Sequence, residues 1–284
     1  MGEVKTVLAS IILYNPDMER LAENIEAIKS QVKEIVMIVN GPGCEAAIEK
    51  YREQSGIAFV INDKNKGIAY ALNQAMRYGY DNGYQWVLTL DQDSISPDNL
   101  VEHLSKHCNK ENIGIIAPCN TDINKPSADL AKSGWEYLSR CITSASLTSI
   151  KAWKKVGGFT NELFIDYVDF DYCAKLTKNG YKIIKDYDIV LTHEVGHIKL
   201  LKLGKWEYPL YNHPPMRRYY YTRNMIYYYK TYPDIINVRW HKIDLIKRCI
   251  MVAIFEKQRV KKIGAMIRGA VDSRKLIKRM KNNK

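Results

Sequence analysis

Three clusters of ionisable side chains have spacings that could do chemistry. Asp91-Gln92-Asp93 sets two carboxylates one residue apart, directly after an apolar run. Carboxylates placed this way can face one metal ion and one ribose. Mg2+ or Mn2+ takes oxygen ligands and shares them with substrate phosphates, where the ion offsets charge on a departing diphosphate. The same acids also fit a solvated loop in which 94–99 opens a capped helix. Asp166-Tyr167-Val168-Asp169-Phe170-Asp171 carries three acids that cannot all be buried without partners. They suit the acidic first turn of a helix running to Leu176, or a general base that removes a proton from an acceptor hydroxyl. His193-Glu194-Val195-Gly196-His197 offers imidazoles, which are common metal ligands, or two exposed loop histidines.

The elements around these residues predict where they meet. Val7 to Leu13 is a continuous apolar run stopped by Tyr14-Asn15-Pro16, which reads as a buried parallel strand entering a turn. Ile35 to Val39, Ile57 to Ile61 and Trp86 to Leu90 read as three more strands. Helices fall between them, with Leu21, Ile25 and Ile28 on one inward face and Ala71, Leu72 and Ala75 on another. Alternating strands and helices imply an α/β fold, a Rossmann-like mostly parallel sheet flanked by helices. Ligands bind such sheets beyond the carboxyl ends of the strands. Four polar turns are expected there: Tyr14-Asn15, Asn40-Gly41, Asn65-Lys66-Gly67 and Asp91-Gln92-Asp93. Further on, strands are expected over 113–117, 142–148 and 183–191, and mostly helices from Pro214.

Charge is distributed unevenly. The formal net charge is +12, and residues 239–284 carry all of it, with 15 Lys+Arg against 3 Asp+Glu. Ile243, Ile246, Ile250 and Ile254 recur at helical spacing among these cations, and Ile263, Ile267 and Val271 follow. No run approaches the roughly 20 apolar residues of a membrane span. A basic amphipathic helix instead suits an anionic membrane surface, or a solvated face against the domain or a partner subunit. Only one aromatic, Phe255, follows Trp240, which gives little base stacking, so no nucleic-acid partner is expected. Nine tyrosines crowd 208–232, where they suit sugar stacking, a membrane interface or helix packing. The six cysteines form no C-x-x-C pair and read as reduced thiols. The first residues lack a charged stretch ahead of an apolar one, so no secretory signal is expected.

Several segments, in order, resemble the inverting family-2 glycosyltransferases of the GT-A fold, nearest the bacterial rhamnosyltransferase group. They are Leu13-Tyr14-Asn15-Pro16, Asn65 to Asn73, Leu90 to Ser94, Thr143 to Leu147 and Gly157-Gly158-Phe159. Leu163 to Asp169, His193 to Gly196 and Arg218 to Asn224 complete the set, which spans about 5 to 230. The resemblance implies that Asp93 holds Mg2+ or Mn2+, with His193 as a metal or diphosphate contact, and that Asp91 contacts ribose or sugar. It places Asp169 as the base, with Asp166 as the alternative. Tyr14, Asn15, Asn40, Asn65, Gly67 and Arg223 complete the nucleotide-sugar site, Arg223 at the diphosphate. Two positions depart from the pattern. Asn40 stands where the family carries a pyrimidine-reading aspartate, and Ala145 where the group often has glycine.

The activity so implied is transfer of a sugar, rhamnose from dTDP-rhamnose or a hexose from a UDP-sugar, to a lipid-linked oligosaccharide acceptor in cell-surface polysaccharide synthesis. A catalytic domain over 1–230, a helical extension over 231–284 and a peripheral place on the cytoplasmic face of the cell membrane are expected with it. Homo-oligomerisation is left open. A nucleotidyltransferase-like enzyme could also use Asp91 and Asp93. It would want a Gly-rich phosphate loop with a nearby cation at the first strand, and none is present.

Overall fold

The computed structural model describes residues 7–122, 127–193, 199–203, 206–210 and 212–282; of 122, 128, 193, 199–203 and 206–210 it describes the backbone alone. The chain divides into two compact units, Met1–Asn161 with Asp169–Glu194, and Glu162–Val168 with Val195–Lys284. The 230/231 boundary expected from the sequence falls at the last turn of a helix within the second unit.

In the first unit, β1 (Val7–Leu13), α1 (Met18–Lys29), β2 (Ile35–Asn40), α2 (Glu45–Tyr51), β3 (Ile57–Asn62), α3 (Ile68–Asp81) and β4 (Trp86–Asp91) alternate as the apolar periodicity predicts. β1 and β2 are buried along nearly their whole length, which is why they read as continuous apolar runs. α1 turns Leu21, Ile25 and Ile28 inward, and Asp17 caps it by accepting from the Glu19 and Arg20 amides at 2.9 and 3.1 Å. After α4 (Leu100–Ser105) come β5 (Ile113–Asp122), a 3-10 turn over Ala128–Ala131 and β6 (Trp135–Leu138). β7 (Ser146–Ser149), α5 (Ile150–Val156), α6 (Val168–Lys178) and β8 (Lys182–His193) follow.

The eight strands form one sheet in the order β3-β2-β1-β4-β7-β5-β8-β6. β1 to β4 are mutually parallel, β7 runs antiparallel to both β4 and β5, β8 is parallel to β5, and β6 is antiparallel to β8. The carboxyl ends of β1–β5 and β8 therefore share one edge of the sheet, and β7 starts at that edge. The strand expected over 142–148 begins later, because Ala145 is left-handed at φ 52° and takes 142–145 out of the extended conformation.

The second unit pairs β9 (Lys199–Leu203) with β10 (Trp206–Leu210) and adds α7 (Pro215–Thr231), α8 (Val238–Phe255) and α9 (Arg259–Asn282). α7 and α9 pack closely at Gly269, where a Cβ would lie 2.5 Å from the Tyr219 carbonyl oxygen, so only glycine fits. Between α8 and α9, Glu256 is buried. One of its oxygens accepts from Arg218 and the other lies 2.8 Å from Lys262 Nζ, which also reaches Asn212 Oδ1 at 2.6 Å. Removing the anion from such a buried cluster strands two cations. Glu256→Ala is therefore expected to destabilise this unit by about 3–5 kcal/mol. Urea unfolding followed by circular dichroism measures it, and a loss below about 1 kcal/mol would mean that water already solvates the cations.

No described helix is long and apolar enough to cross a membrane. α8 exposes Ile243, Ile246, Ile250 and Ile254, the residues whose helical spacing marks an apolar face.

Candidate functional site

The turns at the carboxyl edge of the first unit interlock. Gln92 joins the ends of β4 and β1: its Oε1 accepts from the Tyr14 amide at 2.8 Å and its Nε2 donates to the Tyr14 carbonyl at 3.2 Å. Asn24, fully buried on α1, donates to the Asp91 carbonyl at 2.7 Å. One side-chain amide from α1 and one from the turn itself thus fix the Asp91-Gln92-Asp93 turn against its neighbours, and both carboxylates belong to exposed residues. α4 begins only at Leu100, so Asp93 does not cap it. The Asp93 carboxylate has no hydrogen-bond or ion-pair partner among the described residues.

The other turns meet beside it. A Cβ on Gly43 would collide with Asn15 Oδ1, and a Cβ on Gly41 would lie 2.9 Å from the Asn65 amide nitrogen. Asn15 is itself left-handed at φ 45°. Asn40 is buried, and both ends of its amide are engaged. Nδ2 donates to Asn65 Oδ1 at 3.3 Å and to the Gly67 carbonyl at 3.2 Å, while Oδ1 accepts from the Lys66 amide at 3.0 Å. Asn40 therefore ties the end of β2 to the loop that opens α3. Gly67, at φ 89°, brings no side-chain oxygen to α3, so the first amides of this helix are left uncapped at the same edge. Such a helix start suits a phosphate.

Asp169 joins this edge through the segment ahead of β7. Ser94, next to Asp93, lies 3.4 Å from Ser144 through the two hydroxyls, and Thr143 Oγ1 donates to Asp169 Oδ1 at 2.9 Å. Thr89 Oγ1 in β4 donates to the Thr143 carbonyl and holds that segment against the sheet. Asp171, the third acid of its cluster, is fully buried, accepts from Thr160 Oγ1 at 2.6 Å and lies 3.8 Å from Lys175. It is a structural acid.

Asp166 and Arg223 belong to the second unit. Arg217 grips the Asp166 carboxylate, with Nη2 3.2 Å and Nε 3.3 Å from Oδ1. Burial pushes the Asp166 carboxyl above its ordinary range, against the opposing pull of Arg217. Asp166 and Tyr167 are consecutive left-handed residues, at φ 64° and 66°. Buried Asn224 sustains that costly geometry by donating to the Ile165 and Asp166 carbonyls at 2.8 and 2.9 Å. Arg223 donates through Nε to Asn224 Oδ1 at 2.9 Å and through Nη2 to the Glu162 carbonyl. Its guanidinium thus braces the segment that leads to Asp166.

Of the residues expected from the sequence, Tyr14, Asn15, Asn40, Asn65, Gly67, Asp91, Asp93 and Asp169 come together at one edge of the first unit. His193 ends β8 at the same edge, paired through its backbone with Asp122, and its side chain lies outside the described residues. Gln92, Thr143, Ser144 and Asn224 lie inside the segments that carry the resemblance, but their roles, like the whole of Arg217's, are not legible in the sequence, because each acts through a partner far away in it. Among the described residues no three His, Cys, Asp or Glu side chains form a metal-holding group. Two exposed carboxylates one residue apart, one of them without an internal partner, still suit a hard cation that keeps its other sites for water and substrate phosphate.

A mixed eight-stranded sheet with a D-x-D turn at the end of its fourth strand is the GT-A glycosyltransferase fold. The chain belongs to Glycosyl transferase family 2, whose sequence profile matches residues 10–174. It is 27% identical over 265 residues to dTDP-rhamnosyl transferase RfbF of Shigella flexneri, covering 87% of this chain and 88% of that one. It is 32% identical over 99 residues to the poly-beta-1,6-N-acetyl-D-glucosamine synthase of Staphylococcus aureus strain COL, covering 34% of this chain and 23% of that one. The mannosyltransferase PcManGT of Pyrobaculum calidifontis, solved with GDP-Man and Mn2+, is similar at TM-score 0.59 and 15% identity, covering 94% of this chain and 86% of that one. GalNAc-T7, solved with UDP, GalNAc and Mn2+, is similar at TM-score 0.60 and 12% identity. That likeness covers 90% of this chain, which spans about three fifths (59%) of GalNAc-T7.

Proposed function

We propose that this glycosyltransferase moves rhamnose from dTDP-rhamnose, with inversion, to a hydroxyl of a lipid-linked glycan in cell-surface polysaccharide synthesis. The observation that carries the reading is the chain Asp93-Ser94, Ser144, Thr143, Asp169. It ties a carboxylate pair suited to a nucleotide diphosphate to a carboxylate suited to act as base. Similarity to a dTDP-rhamnosyl transferase over most of both chains supports the donor.

In this reading the diphosphate lies at the D-x-D turn, near the uncapped start of α3. The acceptor oxygen attacks the anomeric carbon, and the bond from that carbon to the diphosphate oxygen breaks. Asp169 takes the hydroxyl proton, and Thr143 holds its carboxylate in place. Asp93 would hold Mg2+ or Mn2+, with His193 as a further metal or diphosphate contact and Asp91 on the ribose or sugar, and the bound ion would neutralise charge on the leaving diphosphate. Tyr14, Asn15, Asn65 and Gly67 would line the nucleotide-sugar side. Asn40, with its amide engaged internally, would shape that side rather than read the base directly. Residues 1–230 would form the catalytic domain. The basic residues and exposed isoleucines of 239–284 would rest on an anionic membrane surface at the cytoplasmic face.

A donor screen tests the reading. dTDP-rhamnose is expected to give metal-dependent release of dTDP above all other sugar nucleotides. Preferential turnover of a UDP-hexose would replace the donor, and no release from any sugar nucleotide by folded protein would end the reading.

A further inference from the structure

The second unit contains a cavity of about 550 Å³ at the C-terminal ends of α7 and α9. Lys230, Arg274 and Lys281 line it with Thr231, over a floor that includes Ile277 and Met280, and no carboxylate contributes. Neighbouring cations on α9 have acidic partners: Lys275 lies 2.8 Å from Asp272, and Arg279 lies 3.6 Å from Glu162. The three cavity cations have no ion-pair partner among the described residues. Cations do favour helix C-termini, but each terminus carries only about half a negative charge. Two termini offset about one of the three cations, so the cavity stays positive.

An apolar stripe leads into it. At 3.6 residues per turn, Val260, Ile267 and Val271 fall on the same face of α9 as Arg274 and Lys281. All three apolar side chains are exposed, Val260 at 82%. The stripe from 260 to 274 is about 21 Å long. A cationic cavity at the end of an exposed apolar track matches an amphiphile whose head is a phosphate and whose tail is a long hydrocarbon.

We propose that this cavity binds the phosphate head of a lipid, with the lipid chain lying along the Val260–Val271 stripe. The proposal rests on the lipid-linked acceptor for its role, and it names the part of that acceptor recognised here: the phosphate end of the carrier rather than the glycan. A bilayer phospholipid with a terminal phosphate presents the same chemistry, and the test separates the two sources.

Full-length protein is sedimented with phosphatidylcholine vesicles containing polyprenyl phosphate, phosphatidic acid or phosphatidylglycerol at matched surface charge. Binding is expected to be tightest with polyprenyl phosphate, and free inorganic phosphate should not displace it. The triple variant Lys230→Gln/Arg274→Gln/Lys281→Gln should weaken that binding by about a hundredfold. It should also abolish the preference over phosphatidylglycerol. The control triple Lys261→Gln/Lys275→Gln/Arg279→Gln removes as much charge from α9 positions that lie off the cavity and off the stripe's face, and should keep the preference. Equal loss of preference in both triples, or none in wild type, overturns the site. Displacement by inorganic phosphate overturns the lipid ligand, and equal preference for phosphatidic acid assigns the site to the bilayer instead of the carrier. Nucleotide release from the sugar donor is read on the same proteins. Its absence in wild type would count against the proposed function alone, since vesicle binding does not depend on turnover.

Discussion

Replacing Asp169 by Asn is expected to lower sugar transfer by about 10²- to 10⁴-fold while leaving donor binding in place. The amide has nearly the shape of the carboxylate, and its oxygen can still accept the bond that Thr143 Oγ1 donates at 2.9 Å. The segment 143–145 and its link to Ser94 therefore persist, and the D-x-D turn keeps its own anchors in Asn24 and Gln92. What is lost is the site that receives the acceptor proton. The loss should appear in kcat, with the donor KM and calorimetric donor affinity close to wild type. Asp166→Asn provides the contrast. Its carboxylate is held by Arg217 within the second unit, and Asn tolerates the left-handed backbone that Asp166 adopts. The proposed assignment therefore expects the smaller kinetic loss there. The reverse order, with Asp166→Asn inactive and Asp169→Asn turning over, would move the base to Asp166.

The choice between those two acids shows which information local sequence carries. β1, β2 and β4 were legible because strands buried on both faces leave continuous apolar runs, and α1 and α3 because their inward residues recur at helical spacing. The placement of the D-x-D turn at a sheet edge follows from those elements alone. β6 was not legible. Its four residues are mostly exposed and lack a periodic pattern, and it exists because Trp135 to Leu138 pair with β8 some fifty positions later. Residue roles were hidden for the same reason. The sequence marks Asn40 as a nucleotide-sugar-site residue standing where the family carries an aspartate, and only the folded chain shows Lys66 and Gly67 occupying both ends of its amide. Asp166 and Asp169 are three residues apart in the sequence, yet their partners lie 51 and 26 positions away, at Arg217 and Thr143. Composition does register the excess charge of the tail. It cannot show that Lys262 is buried against Glu256 while Lys230, Arg274 and Lys281 line an open cavity.

Asp93→Asn is expected to lower kcat/KM by about 10²- to 10³-fold, to remove most of the stimulation by Mn2+, and to leave stability within about 0.5 kcal/mol of wild type. The stability forecast follows from the surroundings of Asp93. Its carboxylate is exposed, caps no helix and has no partner among the described residues, so neutralising it breaks no internal contact. The turn that carries it is fixed by other groups: Gln92 on Tyr14, Asn24 on the Asp91 carbonyl and Arg20 near the Asp93 carbonyl at 3.5 Å. Two exposed carboxylates one residue apart, one of them without an internal partner, leave room for a cation that also reaches substrate phosphate. The kinetic forecast follows from that asymmetry, because the amide keeps an oxygen but loses the charge that draws a divalent ion toward the diphosphate. Two readouts separate the cases. Chelator-treated enzyme should lose nucleotide release and regain it on Mn2+ titration, and Mn2+ binding in the presence of dTDP, followed by electron paramagnetic resonance, should weaken in Asp93→Asn without any turnover being measured. Full activity in chelator, together with wild-type rates for Asp93→Asn, would leave the D-x-D pair as contacts for ribose and sugar. Charge on the leaving diphosphate would then have to be met by the amides that open α3.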